Sequence, residues 1–251
     1  MSRALLVEWH STVTKTNSLR YKGRQVKTSI TAAISKVHAR QVGPHWPAVV
    51  AMLANGGLYA ALPPSLTAGA PRWLPVVIVV GLLVPIMIAQ HLGNHLLSEF
   101  LGYILNSLVT AAMIISLALL LMSVMQHQIT PQQLLRSAAA LWIANILVFA
   151  SWYWRLDGGG PHQRSLTPGH TDGAFLFPQM TMHPEIKVAA GEQDWEPKFV
   201  DYLFLAFNTS TAFSPTDVPV LSRWAKLLMM IQALISLLVI ALLAGRAVNI
   251  L

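Results

Sequence analysis

The sequence predicts an all-α integral membrane protein with four to five transmembrane helices and a re-entrant short helix and loop before the last span. Of its 251 residues, 54% are hydrophobic and 11% charged, with a mean hydropathy of +0.53. A water-soluble globule does not have that composition. Apolar runs of about 20 residues, the length a helix needs to cross a bilayer at 1.5 Å per residue, recur along the chain. Positive charge gathers at one end: Arg3, Lys15, Arg20, Lys22, Arg24, Lys27, Lys36 and Arg40 face a single acid, Glu8.

Residues 1–45 therefore read as a basic tail that anchors the cytoplasmic side and touches anionic lipid, following the positive-inside bias. Only Trp9 and Tyr21 interleave those charges, so no nucleic-acid partner is expected. The tail lacks the apolar stretch of a secretory signal. The chain has no cysteine, which excludes disulfides, thiolate metal sites and cysteine nucleophiles. A multi-pass protein of a bacterial inner membrane is the expected setting.

Five runs are candidate spans. Residues 46–64 form the shortest and carry Asn55, a Gly pair and a terminal Pro pair. Residues 74–90 enclose Pro85, which membrane helices tolerate as a kink. Residues 101–125 are apolar throughout apart from small polar groups. Residues 137–154 end in the aromatic cluster Trp152, Tyr153 and Trp154, an interfacial belt. The fifth runs uncharged from Leu227 to Gly245, between Lys226 and Arg246. Residues 46–136 thus group as N-terminal transmembrane helices, and 137–251 as a second region: a span, a long loop (155–197), a short helix (198–209), a turn (210–219) and a last span (221–248).

The long loop carries three basic and six acidic residues, which favours the side opposite the tail. Four spans between tail and loop would instead bring it back to the tail's side. Either residues 46–64 do not cross, or the loop faces inward; the sequence leaves both open.

After Pro197, apolar residues at Phe199, Val200, Leu203, Phe204 and Phe207 predict one face of a three-turn helix, too short to cross. Pro197 is suited to its first turn, and Asp201 to a cap or packing role near its N-terminus. In the following STAFSPTDVP, Pro215 and Pro219 remove backbone donors while Ser214 and Asp217 can cap amides. Irregular backbone at membrane depth persists only where protein buries it or water lines it. A short helix, a polar turn and a full span together make a re-entrant unit.

This order resembles the pore-loop module of tetrameric potassium-type cation channels over about residues 137–250. DYLFLAFNTST stands as pore helix and TAFSPTD where those channels carry TVGYGD. FSPTDVPVLSRWAKLLMMIQAL also resembles an uncharacterised group of bacterial membrane proteins. The channel resemblance implies an oligomeric, channel-like pore passing ions or small solutes, with a homo-oligomer, a tetramer by analogy, enclosing the path. Pore-lining or selectivity candidates are Ser210, Thr211, Ala212, Phe213, Ser214, Pro215, Thr216 and Asp217.

The filter glycines are absent. A carbonyl ladder needs their backbone freedom, so potassium selectivity is not expected. Hydroxyls, the Phe213 ring and the Asp217 carboxylate instead predict a weakly selective, cation-preferring path. Asp217 has a second reading, as a cap of the last helix or a partner of Arg223. Ala233, Ser236, Ala241, Ala244 and Gly245 allow close approach on the final span, within a monomer or between subunits.

The alternative function is a non-conducting membrane scaffold or accessory subunit. A third reading takes His91, His95 and Glu99, spaced four residues apart, as metal ligands on one helix face. The order lacks the central glutamate of HExxH, and interfacial polarity is the expected role. His162, His170 and His183 read as solvated loop residues, and Asn55, Asn106 and Asn145 as interhelical glue. No catalytic residue, metal site or cofactor is expected, and the chain is not read as an enzyme.

Overall fold

In lipid a segment must satisfy its own backbone hydrogen bonds, and the apolar runs do so as helices. The structure, a computed structural model, describes residues 46–166, 173–192, 195–212 and 218–248. Along the chain come α1 (Trp46–Ala60), a 3-10 turn (Pro64–Leu66), α2 (Leu74–His91), α3 (His95–Met125) and α4 (Pro131–Leu156). A second 3-10 turn (Asp157–Gly159) leads into α5 (Pro161–Leu166), α6 (Pro178–Thr181) and α7 (Pro184–Ala189). The half-length α8 (Phe199–Thr211) and the long α9 (Arg223–Val248) complete the described chain.

Among the described residues, four segments are long and apolar enough to cross a membrane: Leu74–His91, His95–Met125, Pro131–Gly159 and Arg223–Gly245. This is a multi-pass membrane protein. The candidate span at 46–64 is not among them, because its helix has 15 residues, about 22 Å of length against a hydrocarbon core of about 30 Å. α1 packs instead against α2 and α4. The third and fourth spans begin six residues earlier than the apolar runs suggested, since polar first turns at 95–100 and 131–136 extend the helices.

The boundaries have local causes. At α4, Thr130 Oγ1 accepts from the Gln133 amide at 3.3 Å while Gln133 Oε1 accepts from the Thr130 amide at 3.3 Å, with Pro131 in the first helical position. Asn94 Oδ1 caps α3 by accepting from the Leu97 amide at 3.2 Å. Gly93, at φ +74°, turns the chain between α2 and α3. Pro85 is accommodated inside α2.

α4 is the core element. Its span is 61% buried, against 17–33% for the other three, and it packs against α1, α3, α8 and α9. The others turn apolar side chains outward, such as Val84 and Met87 on α2 and Met230 and Leu234 on α9. Acyl chains are the solvent for such faces.

The long loop is anchored at the C-terminal end of α4. Phe175 is fully buried, with ring centroids 5.2 Å from Tyr153, 6.2 Å from Tyr202 and 6.1 Å from Trp224, which joins α4, α8 and α9. Asp157 is completely buried beneath it. Its Oδ2 accepts from the Tyr202 hydroxyl at 2.6 Å and its Oδ1 from the Ala174 amide at 2.5 Å. Arg164 Nη1 donates to the carbonyls of Trp154 (2.8 Å) and Asp157 (2.5 Å), and its guanidinium lies 5.2 Å from the Tyr202 ring centre. These two loop charges are structural rather than solvated. Desolvation by burial pushes the Tyr202 phenol well above its ordinary range.

Tyr202→Phe removes that donor and leaves Asp157 Oδ2 without the phenol. The expected cost is about 1.5–3 kcal/mol, the range for a hydrogen bond to a carboxylate, read as a lower midpoint of thermal unfolding in detergent.

Candidate functional site

The site that the sequence singled out is α8 and the turn after it. α8 starts where Asp201 Oδ2 accepts from the Lys198 amide at 2.6 Å, a helix-capping bond. Burial raises the pKa of the Asp201 carboxyl, with the Lys198 amide opposing. Pro197 sits one position outside the Lys198 cap rather than in the first turn.

The buried side of α8 differs from the expected one. Phe199, Tyr202, Leu205, Ala206, Thr209 and Ser210 face the protein, whereas Val200, Phe204 and Phe207 are exposed. Apolar residues occupy both sides of this helix, so periodicity could not choose between them. The small and hydroxyl residues did, because Ala206, Thr209 and Ser210 allow α8 to approach α9 closely.

Contacts fix the course of α8. Its first turn lies at the C-terminal end of α4, with Phe199 against Trp154 (5.9 Å between rings) and Tyr202 on Asp157. Its last turns reach the middle of α4 and α9, with Phe207 against Trp142 (6.2 Å) and Ser210 on Gln232. Residues 213–217 lie outside the described chain. Where description resumes, the chain is again at the end from which α8 set out: the Leu221 amide donates to the Ala174 carbonyl at 2.8 Å and the Leu176 amide to that of Pro219 at 2.9 Å.

Gln232 of α9 is the fastening point. Its Nε2 donates to the Ala206 carbonyl (2.6 Å) and to Ser210 Oγ (2.8 Å), and its Oε1 accepts from the Tyr153 hydroxyl (2.5 Å). From α4, Asn145 Nδ2 donates to the Gln232 carbonyl at 3.2 Å and to Ser236 Oγ at 3.0 Å. Gln232, Ser236, Asn145, Ser210 and Tyr153 are all fully buried. One amide side chain thus joins three helices through complementary donors and acceptors.

Ser210 is therefore engaged within its own chain. Thr211 and Ala212 are exposed, and Thr211 Oγ1 donates to the Phe207 carbonyl at 2.9 Å. Phe213, Ser214, Pro215, Thr216 and Asp217 lie outside the described residues, and with them the proposed Asp217–Arg223 pair. Arg223 and Lys226 are exposed at the start of α9. Among the small residues of α9, Ser236 is buried, while Ala241, Ala244 and Gly245 are exposed.

The other chemical candidates separate. His91 closes α2 and His95 opens α3, with the Gly93 turn between them, so HLGNHLLSE is not one helix face. His95 instead stacks on His162 of α5, centroids 3.7 Å apart and planes 11° from parallel. His162 is thus half-buried, whereas His183 is exposed and His170 lies outside the described residues. Among the described residues no three His, Asp or Glu side chains converge as metal ligands. Of the three asparagines expected as glue, Asn145 bonds across helices, whereas the side chains of Asn55 and Asn106 are buried with no partner among the described residues.

Gln232, Asp157 and Arg164 were missed by sequence reasoning. For Gln232 a signal existed: it is the one amide in the otherwise apolar run of the last span, and polar groups at membrane depth need a partner. Compared with known proteins, the chain matches no family model, no curated sequence and no solved structure.

Gln232→Leu strands the Tyr153 and Ser210 hydroxyls and is expected to cost about 1–3 kcal/mol. Ser210→Ala, which leaves Gln232 Nε2 on the Ala206 carbonyl, is expected to cost about 0.5–1.5 kcal/mol. Thermal unfolding of both variants in one detergent gives the order.

Proposed function

We propose that the chain forms an oligomeric, channel-like pore in which α8 is a re-entrant half-helix. The observation that supports this most is the course of the chain around α8. It enters beside Asp157, reaches the depth of Gln232, and resumes beside Ala174 at the end it left. Thirteen helical residues cover about 20 Å, well short of a crossing. The C-terminal end of α8, with its partial negative charge, then points toward mid-membrane, which favours cations there.

In this reading the Gln232 amide and the Asp157 carboxylate hold the half-helix at its two ends. Thr211, Ala212 and residues 213–217 supply the lining, with Ser210 fastening it from behind. Val200, Phe204, Phe207 and Thr211 form one outward stripe on α8, spaced four, three and four residues apart. A neighbouring subunit covers that stripe in a homo-oligomer, for which a tetramer is the geometry by analogy. Without filter glycines the path is weakly selective.

A non-conducting scaffold or accessory subunit is the second reading. It is favoured by the burial of Ser210 and the engagement of its hydroxyl within the same chain.

Purified protein in liposomes is expected to pass small monovalent cations, and Asp217→Asn to lower the cation-to-anion preference without changing oligomer size. Absence of flux across voltage, pH and ion composition, in protein shown to be folded and oligomeric, would favour the scaffold.

A further inference from the structure

A cavity of about 340 Å³ lies between α1, α2 and α3, away from α8. Its long axis can be read from two bonds. Ser116 Oγ donates to the Leu66 carbonyl at 2.8 Å, placing Ser116 level with the turn between α1 and α2. Tyr59 OH donates to the Val109 carbonyl at 3.4 Å, two helical turns deeper. Leu108 to Ser116 therefore line about 12 Å of depth.

The walls are almost wholly apolar. The three hydroxyl residues among them, Tyr59, Thr67 and Ser116, each donate to a backbone carbonyl, so they offer water no unpaired donor. Walls of this kind favour apolar occupants. At about 30 Å³ per water-sized group, the space holds on the order of ten methylenes. Small residues are part of its lining: Gly56 on α1 and Ala111 and Ala112 on α3. Its mouth opens sideways, since Ile78 of α2 and Leu108, Ala111 and Ile115 of α3 are exposed on apolar faces that meet lipid.

At the shallow end the same turn carries Arg72 and Trp73, both exposed, flanked by the lining residues Ala70 and Leu74. Among the described residues Arg72 has no ion-pair partner, and Trp73, 62% exposed, has the amphipathic ring that settles at headgroup level. An apolar slot that opens to the bilayer, with an exposed arginine two residues from the lining residues Ala70 and Leu74, fits one molecule with a long hydrocarbon chain and an anionic head.

We infer that this cavity is a binding site for an anionic phospholipid, one acyl chain lying between α2 and α3 and the phosphate beside Arg72. Hydrocarbon burial supplies occupancy, and the guanidinium selects the head. The inference does not rest on the pore reading, because the cavity is formed without α8.

Native mass spectrometry of the full chain, released from nanodiscs of mixed phosphatidylglycerol and phosphatidylcholine, tests it. The wild type is expected to retain one lipid per protomer, with phosphatidylglycerol preferred about fivefold, the effect of one cation near anionic headgroups. Ala112→Phe, which fills the slot, is expected to abolish retention. Arg72→Gln is expected to keep the lipid and bring the preference close to parity. If Ala112→Phe does not fold, Ala111→Phe at the exposed mouth fills the entrance instead. Unchanged retention in the filling variant overturns the inference. So does equal retention of the two lipids by the wild type, or a retained molecule without phosphate.

Discussion

Polar groups taken into hydrocarbon are costly unless partners inside the protein meet them, and in this chain the Gln232 side chain is met by partners that join three helices at once. Its amide offers donors and an acceptor, and α4 and α8 present complementary groups: the Tyr153 hydroxyl, the Ala206 carbonyl and the Ser210 hydroxyl. An apolar residue at the same place would leave these hydroxyls unpaired in a medium that offers no replacement. This match fastens the last turns of α8 to α9 and, through Tyr153, to α4.

The opposite end of α8 is held by different chemistry. Asp157, completely buried, accepts from the Tyr202 hydroxyl and the Ala174 amide, while Arg164 bonds to the carbonyls around it and lies over the Tyr202 ring. Buried groups of this kind stabilise a fold only when their hydrogen-bonding capacity is met. Phe175 fills the remaining space against Tyr153, Tyr202 and Trp224. Asp157, Arg164, Ala174 and Phe175 therefore pack at the C-terminal end of α4, and Ala174 and Leu176 bond to the chain that leads into α9.

A different logic governs the α1–α3 half. There the packing relies on small residues and few polar bonds, and close approach is needed at particular points. Gly102 lies directly under the Arg155 guanidinium, where any β-carbon would overlap it. A β-carbon placed on Gly56 would meet Val79 at contact distance. Small side chains also line the cavity beneath the Pro64–Leu66 turn.

Hydrophobic runs made the four long helices legible in the sequence, and proline and polar residues the short α8 and the break before α9, because helix formation in lipid is a local matter of length and backbone satisfaction. The amino acids alone likewise marked residues 46–64 as the weakest span, since the run is short and interrupted. They could not decide which side of α8 is buried, as apolar residues occupy both sides and only the proximity of Gln232 and Tyr153 selects Ala206 and Ser210. Nor could they place Asp157 and Arg164 in the interior, because their partners stand up to 45 residues away. Local chemistry thus determined which segments are helices, and tertiary structure decided which polar groups meet, since in lipid a buried donor is placed by its acceptor and not by its neighbours in sequence.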